Sequence, residues 1–210
     1  TVAGQPVQVW LSDGFRQFIA VPTLADNGAN EGVALADFNG DGNLDLVVAN
    51  AAGQADRVYR GDGAGGFAPL ATLTATDANS VAVGDFNNDG NPDIAVAAVG
   101  GNPVYQGNGG GGFNLHATLG NANSLDVAVA EFDANGRDDL VFANVGSASR
   151  VWTKNSGAGF TSADQLNIGD AVAVAAGLLN GDARTDLVFG RVPNAVGDVP
   201  ADPVFYNNGN

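Results

Sequence analysis

The chain lacks several residue types on which common functions depend. Its 210 residues contain no cysteine, no methionine and a single histidine, which excludes thiol catalysis, a disulfide framework and cysteine-based zinc sites. Only eight Lys and Arg residues stand against 23 Asp and Glu, and the formal net charge is −15. This shortage of positive charge argues against partners that present phosphate, so we expect neither nucleic acid nor an anionic membrane surface as a ligand.

Long hydrophobic runs are missing as well. The longest apolar stretch, residues 171–179, is about half of the roughly 20 residues that a membrane-spanning helix needs. We therefore predict no membrane insertion. Hydrophobic residues nevertheless make up 45% of the chain, which is ordinary for a globular domain and enough to bury a core.

An internal repeat organises the chain. One segment occurs four times and combines an alternating apolar run, an Asp/Asn/Gly loop and a continuous apolar run. A second segment follows each copy and carries a Val–aromatic pair and a Gly-rich turn; the N-terminus has one additional copy of this second segment alone. The approximate bounds are 7–21 for the N-terminal strands and 32–73, 80–119, 126–168 and 171–208 for the repeats.

Each repeat is predicted to form four short strands. Its short strand-like runs are separated by Gly, Pro and Asn, and no amphipathic helical stretch lies between them. Repeats of about 47 residues with four strands are typical of propeller blades. We therefore predict an all-β fold, a single β-propeller domain over residues 1–210 with about four blades. Two arrangements remain open. In a closed four-bladed ring, Phe15–Val21 would supply the outer strand after Val204–Tyr206; otherwise the chain is part of a larger or oligomer-completed propeller.

The loop after the first strand of each repeat carries the candidate metal ligands. In the first two repeats, oxygen-bearing side chains occupy positions 1, 3, 5 and 9, and the residue at position 7 can offer its backbone carbonyl. Such alternation on a tight loop suits a hard cation that takes six to eight oxygens. The predicted ligands are Asp37, Asn39, Asp41, Asn43 and Asp45 in the first loop and Asp85, Asn87, Asp89, Asn91 and Asp93 in the second.

The third and fourth loops depart from this pattern. The third keeps three carboxylates and predicts a weaker calcium site. The fourth has Leu178 in place of the first carboxylate and adds Arg184, which predicts a weak or empty site. An alternative for every loop is a metal-free hairpin turn, since Asp, Asn and Gly are favoured in turns anyway. The candidate ligands are Glu131, Asp133, Asn135, Arg137 (by its carbonyl) and Asp139 in the third loop, and Asn180, Asp182 and Asp186 in the fourth.

The runs DFNGDGNLD (37–45) and DFNNDGNPD (85–93), each followed by an apolar strand and later by a Gly-Gly-Phe turn, resemble the FG-GAP/VCBS repeats of integrin α-subunit heads and many secreted bacterial proteins. The resemblance implies a propeller with calcium in the hairpin loops of one face. Because family members usually have seven blades, it leaves ring closure open. Extracellular calcium modules bind with dissociation constants of roughly 10⁻⁴–10⁻³ M. Such sites stay empty at cytosolic calcium levels, so we expect a secreted or cell-surface protein.

No catalytic constellation accompanies these loops. His116 is the lone histidine, and no nucleophile elbow or phosphate-binding loop is present in the sequence. The acidic clusters recur in every repeat, as expected of structural calcium loops rather than of one active site. We therefore predict a non-enzymatic binding or adhesion module with a protein or carbohydrate ligand, and with homo-oligomerisation left open. The alternatives are a propeller lectin and an accessory domain of a polysaccharide-active enzyme.

Aromatic residues occur at one equivalent position in each repeat and have two interpretations. They either pack between adjacent blades or form a set of platforms on which sugar rings stack. The residues are Trp10, Tyr59, Tyr105, Trp152 and Phe205.

Overall fold

All regular elements in the described residues are β-strands, and each pairs antiparallel with a neighbour along the chain. The structure is a computed structural model that describes residues 6–15, 17–21, 24, 28–157, 159–192 and 202–208. Within these ranges there is no helix long and apolar enough to cross a membrane.

The strands form one hairpin, three four-stranded sheets and one three-stranded sheet. These sheets are the blades expected from the repeats, and the prediction of an all-β propeller of four-stranded units is confirmed. The hairpin consists of β1 (Trp10–Ser12) and β2 (Phe18–Ala20). Blade 1 contains β3 (Asn30–Ala36), β4 (Asp45–Asn50), β5 (Ala55–Gly61) and β6 (Phe67–Ala75). Blade 2 contains β7 (Ala78–Gly84), β8 (Asp93–Ala98), β9 (Asn102–Gly107) and β10 (Phe113–Leu119). Blade 3 contains β11 (Asn123–Ala130), β12 (Asp139–Val145), β13 (Ser149–Lys154) and β14 (Phe160–Leu166).

Blade 4 has three described strands. They are β15 (Ala171–Gly177), β16 (Asp186–Arg191) and β17 (Val204–Phe205). The last of these is short and pairs only with Leu187 and Val188 of β16.

The core lies between successive blades. The second strand of each blade is a continuous apolar run because it is covered on both faces; all six residues of β4, for instance, are buried. Aromatic edge contacts join the blades: the Phe38 and Phe113 ring centroids are 5.4 Å apart, and those of Phe86 and Phe160 are 5.9 Å apart. The first strands contact one another in chain order, which brings the loops that follow them to the same end of the blades.

Among the described residues, the pairing predicted for a closed four-bladed ring is not formed. Strand β2 pairs with β1 rather than with β17, because the turn between β1 and β2 is stabilised locally. The Asp13 carboxylate accepts hydrogen bonds from the backbone N–H groups of Phe15 (2.7 Å) and Gln17 (3.1 Å). The segment before β1 then packs on blade 1 through Val7 and Val9. The described strands therefore form four successive blades, with the hairpin in front of blade 1.

Candidate metal centre

Each predicted ligand loop connects the first and second strands of its blade. In the first loop the backbone is folded around the Asp37 carboxylate. Its oxygens accept hydrogen bonds from the N–H groups of Gly40 (2.8 Å), Asp41 (3.2 Å) and Gly42 (2.8 Å). These bonds lower the pKa of Asp37, the one from Gly42 most of all, so this carboxylate is held in its charged form.

The same turn recurs in the next two loops. Asp85 accepts from the N–H groups of Asp89 (3.1 Å) and Gly90 (2.8 Å). Glu131 accepts from Asp133 (3.0 Å), Asn135 (3.2 Å) and Gly136 (3.1 Å). Although partial burial raises the pKa of Glu131, these backbone donors lower it overall.

Left-handed backbone at positions 4 and 6 gives the loops their tight curvature. Position 6 is glycine in the first three loops, with φ of 85° at Gly42, 84° at Gly90 and 77° at Gly136. In the fourth loop, Ala183 adopts φ of 64° at this position, a conformation that an L residue with a Cβ rarely takes. Loop shape is thus retained in the fourth repeat even where the ligand set is not.

The aspartate at position 9 has a structural role that sequence reasoning missed. Asp45 is fully buried and accepts from the N–H of Phe38 (3.0 Å) and the N–H of Gly61 (2.9 Å). These two hydrogen bonds connect the start of the loop to the end of the third strand. The same two bonds are made by the equivalent residues Asp93, Asp139 and Asp186. The signal was present in the sequence: Asp186 is kept in the loop that has lost its first carboxylate.

At two of these four residues, Asp93 and Asp139, burial disfavours the charged carboxylate. It raises the pKa of both Asp93 and Asp139 to about 6, although each accepts backbone hydrogen bonds that act in the opposite direction. Neighbouring loop carboxylates, such as Asp85 and Asp89 beside Asp93, raise it further. A divalent cation among these groups would stabilise their charged forms.

The third loop has the tightest cluster of carboxylates in the described part of the chain. Ligand oxygens of Glu131, Asp133 and Asp139 all lie within 4.8 Å of one another. Oxygens that share one calcium ion at about 2.3–2.6 Å lie no more than about 5 Å apart, so this trio fits the cation. The sequence motif predicts a stronger calcium site in each of the first two loops than in this one. Within the described residues, however, neither of those loops brings three carboxylates as close together.

Two further predicted ligands of the third loop make structural contacts. The Asn135 side-chain amide donates to the Lys154 carbonyl (2.8 Å), while its Oδ1 accepts from the Arg137 N–H (2.9 Å). The guanidinium of Arg137 crosses to blade 2 and donates to the Asn87 carbonyl (3.0 Å). The third loop is therefore tied to the second one, and neighbouring blades meet through their loops.

In the fourth loop the ligand set is incomplete. Leu178 is 65% exposed at position 1. Asn180 and Asp182 bond mainly to each other and to the loop backbone, and Asp186 makes the two buried bonds described above. No carboxylate takes the place of the missing first ligand in the described residues of this loop.

The equivalent aromatic residues lie mostly between blades. Tyr105 is 2% exposed and packs in the cluster between blades 1 and 2, whereas Tyr59 is 4% exposed and packs with Val7 and Val9 of the N-terminal segment. Neither ring is open to a ligand as a stacking platform. Trp152 and Phe205 are half-buried against the clusters that flank blade 3. Trp10, in contrast, is 54% exposed.

A groove separates blades 3 and 4 beside the third loop. It has a volume of about 460 Å³ and combines aromatic, carboxylate and amide groups. Its lining includes Asp133, Asp164, Phe205, Tyr206 and Asn207. Hydrogen-bonding groups next to an aromatic surface are what a polar ligand with an apolar face requires.

Comparison with known proteins places these features in a family. The model of the FG-GAP-like repeat matches residues 2–48, 37–96 and 85–142. No curated protein sequence matches the chain.

Among solved structures, a lectin of Agrocybe aegerita described as recognising non-reducing terminal N-acetylglucosamine is similar over 96% of this chain, with a TM-score of 0.57 and 23% identity. BBS1N in complex with ARL6DN matches in crystals soaked with lead (TM-score 0.56, 14% identity, 76% of this chain) and with mercury (TM-score 0.56, 12% identity, 78% of this chain). The chain spans 57% of the lectin chain and 50% and 53% of the BBS1N chains. At these identities the likeness concerns the fold. The repeat matches cover more than half of the residues, and the chain belongs to the FG-GAP-like repeat family.

Proposed function

We propose that this protein is a non-catalytic binding module whose blades are stabilised by calcium and which acts outside the cell. The carboxylate trio of the third loop carries the proposal. Glu131, Asp133 and Asp139 would supply ligand oxygens, with the Asn135 side chain and the Arg137 carbonyl completing the set. Bound calcium would contribute a positive charge next to buried carboxylates, and the protein contributes a loop already folded by its own backbone hydrogen bonds.

A structural role follows from where the loops lie. They connect the first two strands of each blade and are joined to adjacent blades, as in the bond from Arg137 to the Asn87 carbonyl. A cation here would therefore stabilise both a blade and its contact with the neighbour. Dissociation constants of about 10⁻⁴–10⁻³ M are those of extracellular calcium modules, whereas cytosolic sensors and buffers bind more tightly, which supports an extracellular or cell-surface location.

Calorimetric titration of calcium tests the proposal. The calcium-stripped chain should bind calcium with a dissociation constant of roughly 10⁻⁴–10⁻³ M. Asp133→Asn keeps the side-chain shape and removes one charge, so it should abolish or strongly weaken one site. Asp182→Asn, at position 5 of the fourth loop, is the control and should leave the titration unchanged. Wild-type protein that gives no binding signal would overturn the proposal, as would equal titrations of wild type and Asp133→Asn.

A second candidate function rests on the groove between blades 3 and 4. Tyr206 is 55% exposed at its edge, and Asp164 and Asn207 face the same space. An aromatic ring beside carboxylate and amide groups is suited to a sugar, whose ring has an apolar face and hydroxyl edges. A carbohydrate ligand would make the chain a lectin, or an accessory domain of a polysaccharide-active enzyme. The similar fold of a sugar-recognising lectin motivates the test but does not assign the sugar.

A glycan array separates these possibilities. Binding to a glycan that Tyr206→Ala and Asp164→Asn abolish, with the folded state unchanged by circular dichroism, would support the carbohydrate ligand. An array without hits would leave a protein ligand as the proposal. Hydrolysis of a bound glycan would contradict the non-catalytic assignment.

A further inference from the structure

We propose that Arg137 and Asp138 of the third loop position the calcium site of the second loop, so that calcium bound in one of these loops favours calcium in the other. The two sites are those of the calcium binding proposed above, on which this linkage rests. Both side chains leave their own blade and bond to the neighbouring ligand loop. The second calcium site would then belong to two blades rather than to one.

Asp138 stands at position 8 of the third loop, a position at which the sequence predicts no ligand. Its carboxylate accepts a hydrogen bond from the backbone N–H of Asp85 (2.8 Å), the first residue of the second loop. The two blades approach closely here, because a Cβ on Gly84 would lie 2.9 Å from the Asp138 carboxylate. The equivalent residues of blades 1 and 3, Ala36 and Ala130, have a Cβ. Gly84 therefore leaves the room that the Asp138 side chain fills.

Arg137 reaches the same loop two residues further on. Its guanidinium donates to the Asn87 carbonyl (3.0 Å), and this peptide group precedes Asn88 at position 4. Asn88 has φ of 59°, in the left-handed region that residues with a Cβ seldom occupy. The first loop has a glycine there, Gly40, with φ of 74°. The bond from Arg137 thus orients the peptide group at the point where the second loop adopts a conformation that an L residue disfavours.

Together the two bonds hold the part of the second loop that carries its first two ligands. Asp85 and Asn87 supply the oxygens of positions 1 and 3, and each has one backbone group bonded to blade 3. In the third loop itself, the Arg137 carbonyl is a predicted ligand and Asp138 precedes the ligand Asp139. Calcium in the third loop would therefore fix the segment from which both bonds start. Because less ordering then remains for the second loop, binding at the two loops is linked, and the linkage acts equally in both directions.

The first and second loops lack such a connection in the described part of the chain. Position 8 of the second loop is Pro92, whose side chain has no acceptor, and Asn91 at position 7 lies against Gly109 of its own blade. The first loop is bonded to blade 2 through its Phe38 carbonyl, which accepts from the Gly111 N–H (2.9 Å). Gly111, however, belongs to the turn between β9 and β10. We therefore expect the first site to fill independently of the other two.

A calcium titration followed by NMR of the full chain, stripped of calcium and labelled with ¹⁵N-glycine, measures the loops separately. Gly42 and Gly90 each donate a backbone N–H to the position-1 carboxylate of their loop (2.8 Å in both), so calcium on that carboxylate should shift their signals. The midpoint is the calcium concentration that gives half of this shift. Asp138→Ala removes the acceptor of the Asp85 N–H and should raise the Gly90 midpoint by about five-fold or more, because a hydrogen bond to a charged group is lost. Asp138→Asn keeps an acceptor oxygen and should restore most of the wild-type midpoint.

Asp133→Asn tests the linkage itself, because it removes a ligand of the third loop and leaves both connecting side chains in place. The Gly90 midpoint should again rise by about five-fold or more, which is the usual range of coupling between sites. The Gly42 midpoint should not change. In the double variant Asp133→Asn/Asp138→Ala the two effects should not be additive in free energy, since both act through the same connection.

Asp77→Ala is the control variant. Asp77 accepts from the Ala52 N–H (2.7 Å) in the turn that follows β4, whereas the ligand loop precedes that strand. The substitution therefore removes the same charge and the same kind of hydrogen bond at the other end of the blade, and the midpoints of Gly42 and Gly90 should stay at their wild-type values.

The outcomes separate this linkage from the calcium binding on which it rests. A Gly90 midpoint that is unchanged in Asp138→Ala or in Asp133→Asn would overturn the linkage and leave calcium binding intact. The same holds if Asp138→Asn weakens the second site as much as Asp138→Ala, since charge rather than position would then account for the effect. Calcium-dependent shifts at Gly136 of the third loop without any at Gly90 would also overturn it. A chain without calcium-dependent shifts in any loop would refute the proposed function and the linkage together.

Discussion

Replacing Asp56 by asparagine is expected to stabilise the protein above pH 6. Asp56 is fully buried on β5 and accepts from the Asn50 N–H (2.8 Å) and the Thr76 hydroxyl (3.2 Å). Burial raises its pKa from 3.8 to about 6, despite these two hydrogen bonds. Asparagine keeps an oxygen for the Asn50 N–H, and its amide can donate to the Thr76 hydroxyl, which is also an acceptor.

The magnitude follows from the pKa difference of about two units. At about 1.4 kcal/mol per unit, the charged carboxylate destabilises the folded state by at most about 3 kcal/mol. The sign is fixed because the folded-state pKa is the higher one. The folded protein therefore binds the proton more tightly than the unfolded chain, and wild-type stability falls as the pH rises from about 4 to 6 and then levels off. The advantage of Asp56→Asn should be close to zero near pH 4 and largest at pH 7.

Thermal unfolding across this pH range measures the difference, in excess EDTA so that calcium occupancy stays constant. An increase of about 2–4 °C in Tm per kcal/mol is expected for a chain of this size. Blade 2 provides the control, since Asn102 occupies the equivalent position and accepts from the Ala98 N–H (3.0 Å). The reverse substitution, Asn102→Asp, should lower Tm relative to wild type at pH 7. This loss should develop over the same pH range as the effect of Asp56→Asn. If Asp56→Asn were less stable than wild type at pH 7, or its effect independent of pH, the assignment of a destabilising buried charge would be refuted.

Two further substitutions test the packing of the blades. Phe38→Ala removes a ring that is 1% exposed and contacts Phe113. The free energy of unfolding, measured in denaturant, should therefore fall by about 3–5 kcal/mol. A loss under about 1 kcal/mol would contradict the inter-blade core. Gly107→Ala would place a Cβ against the Pro92 carbonyl oxygen and should lower stability by about 1–3 kcal/mol. Gly110→Ala in the same turn meets only the Asn108 side chain at 3.5 Å and should be nearly neutral; equal effects of the two would count against the close approach.

The repeat made most of the fold predictable from sequence. Four copies of one pattern identify strand order and blade boundaries far better than one copy could, and the alternating and continuous apolar runs reflect how each strand is buried. The arrangement at the ends was not predictable in this way. The local Asp13 turn pairs β2 with β1, and the competing long-range pairing with β17 leaves no distinguishing pattern in the sequence.

The candidate site was predicted by residue type, but the roles within it required coordinates. The sequence predicts a ligand at position 9, but it does not reveal the second role of this residue, which accepts hydrogen bonds from the buried N–H groups of Phe38 and Gly61 at Asp45. Likewise, the sequence predicts a weaker calcium site in the third loop, because Glu131 and Arg137 depart from the motif. The distance between its carboxylate oxygens depends on the longer Glu131 side chain and the loop backbone, which composition does not reveal.

The central claim is that calcium in the blade loops stabilises this propeller. Its most direct test is the thermal unfolding of the wild-type chain in excess EDTA and in calcium at about ten times the dissociation constant. Mass action then adds about 1.4 kcal/mol per occupied site, and Tm should rise by about 3–6 °C per site. Asp133→Asn should lose one site's share of that increase. Superimposable unfolding curves with and without calcium would contradict the claim.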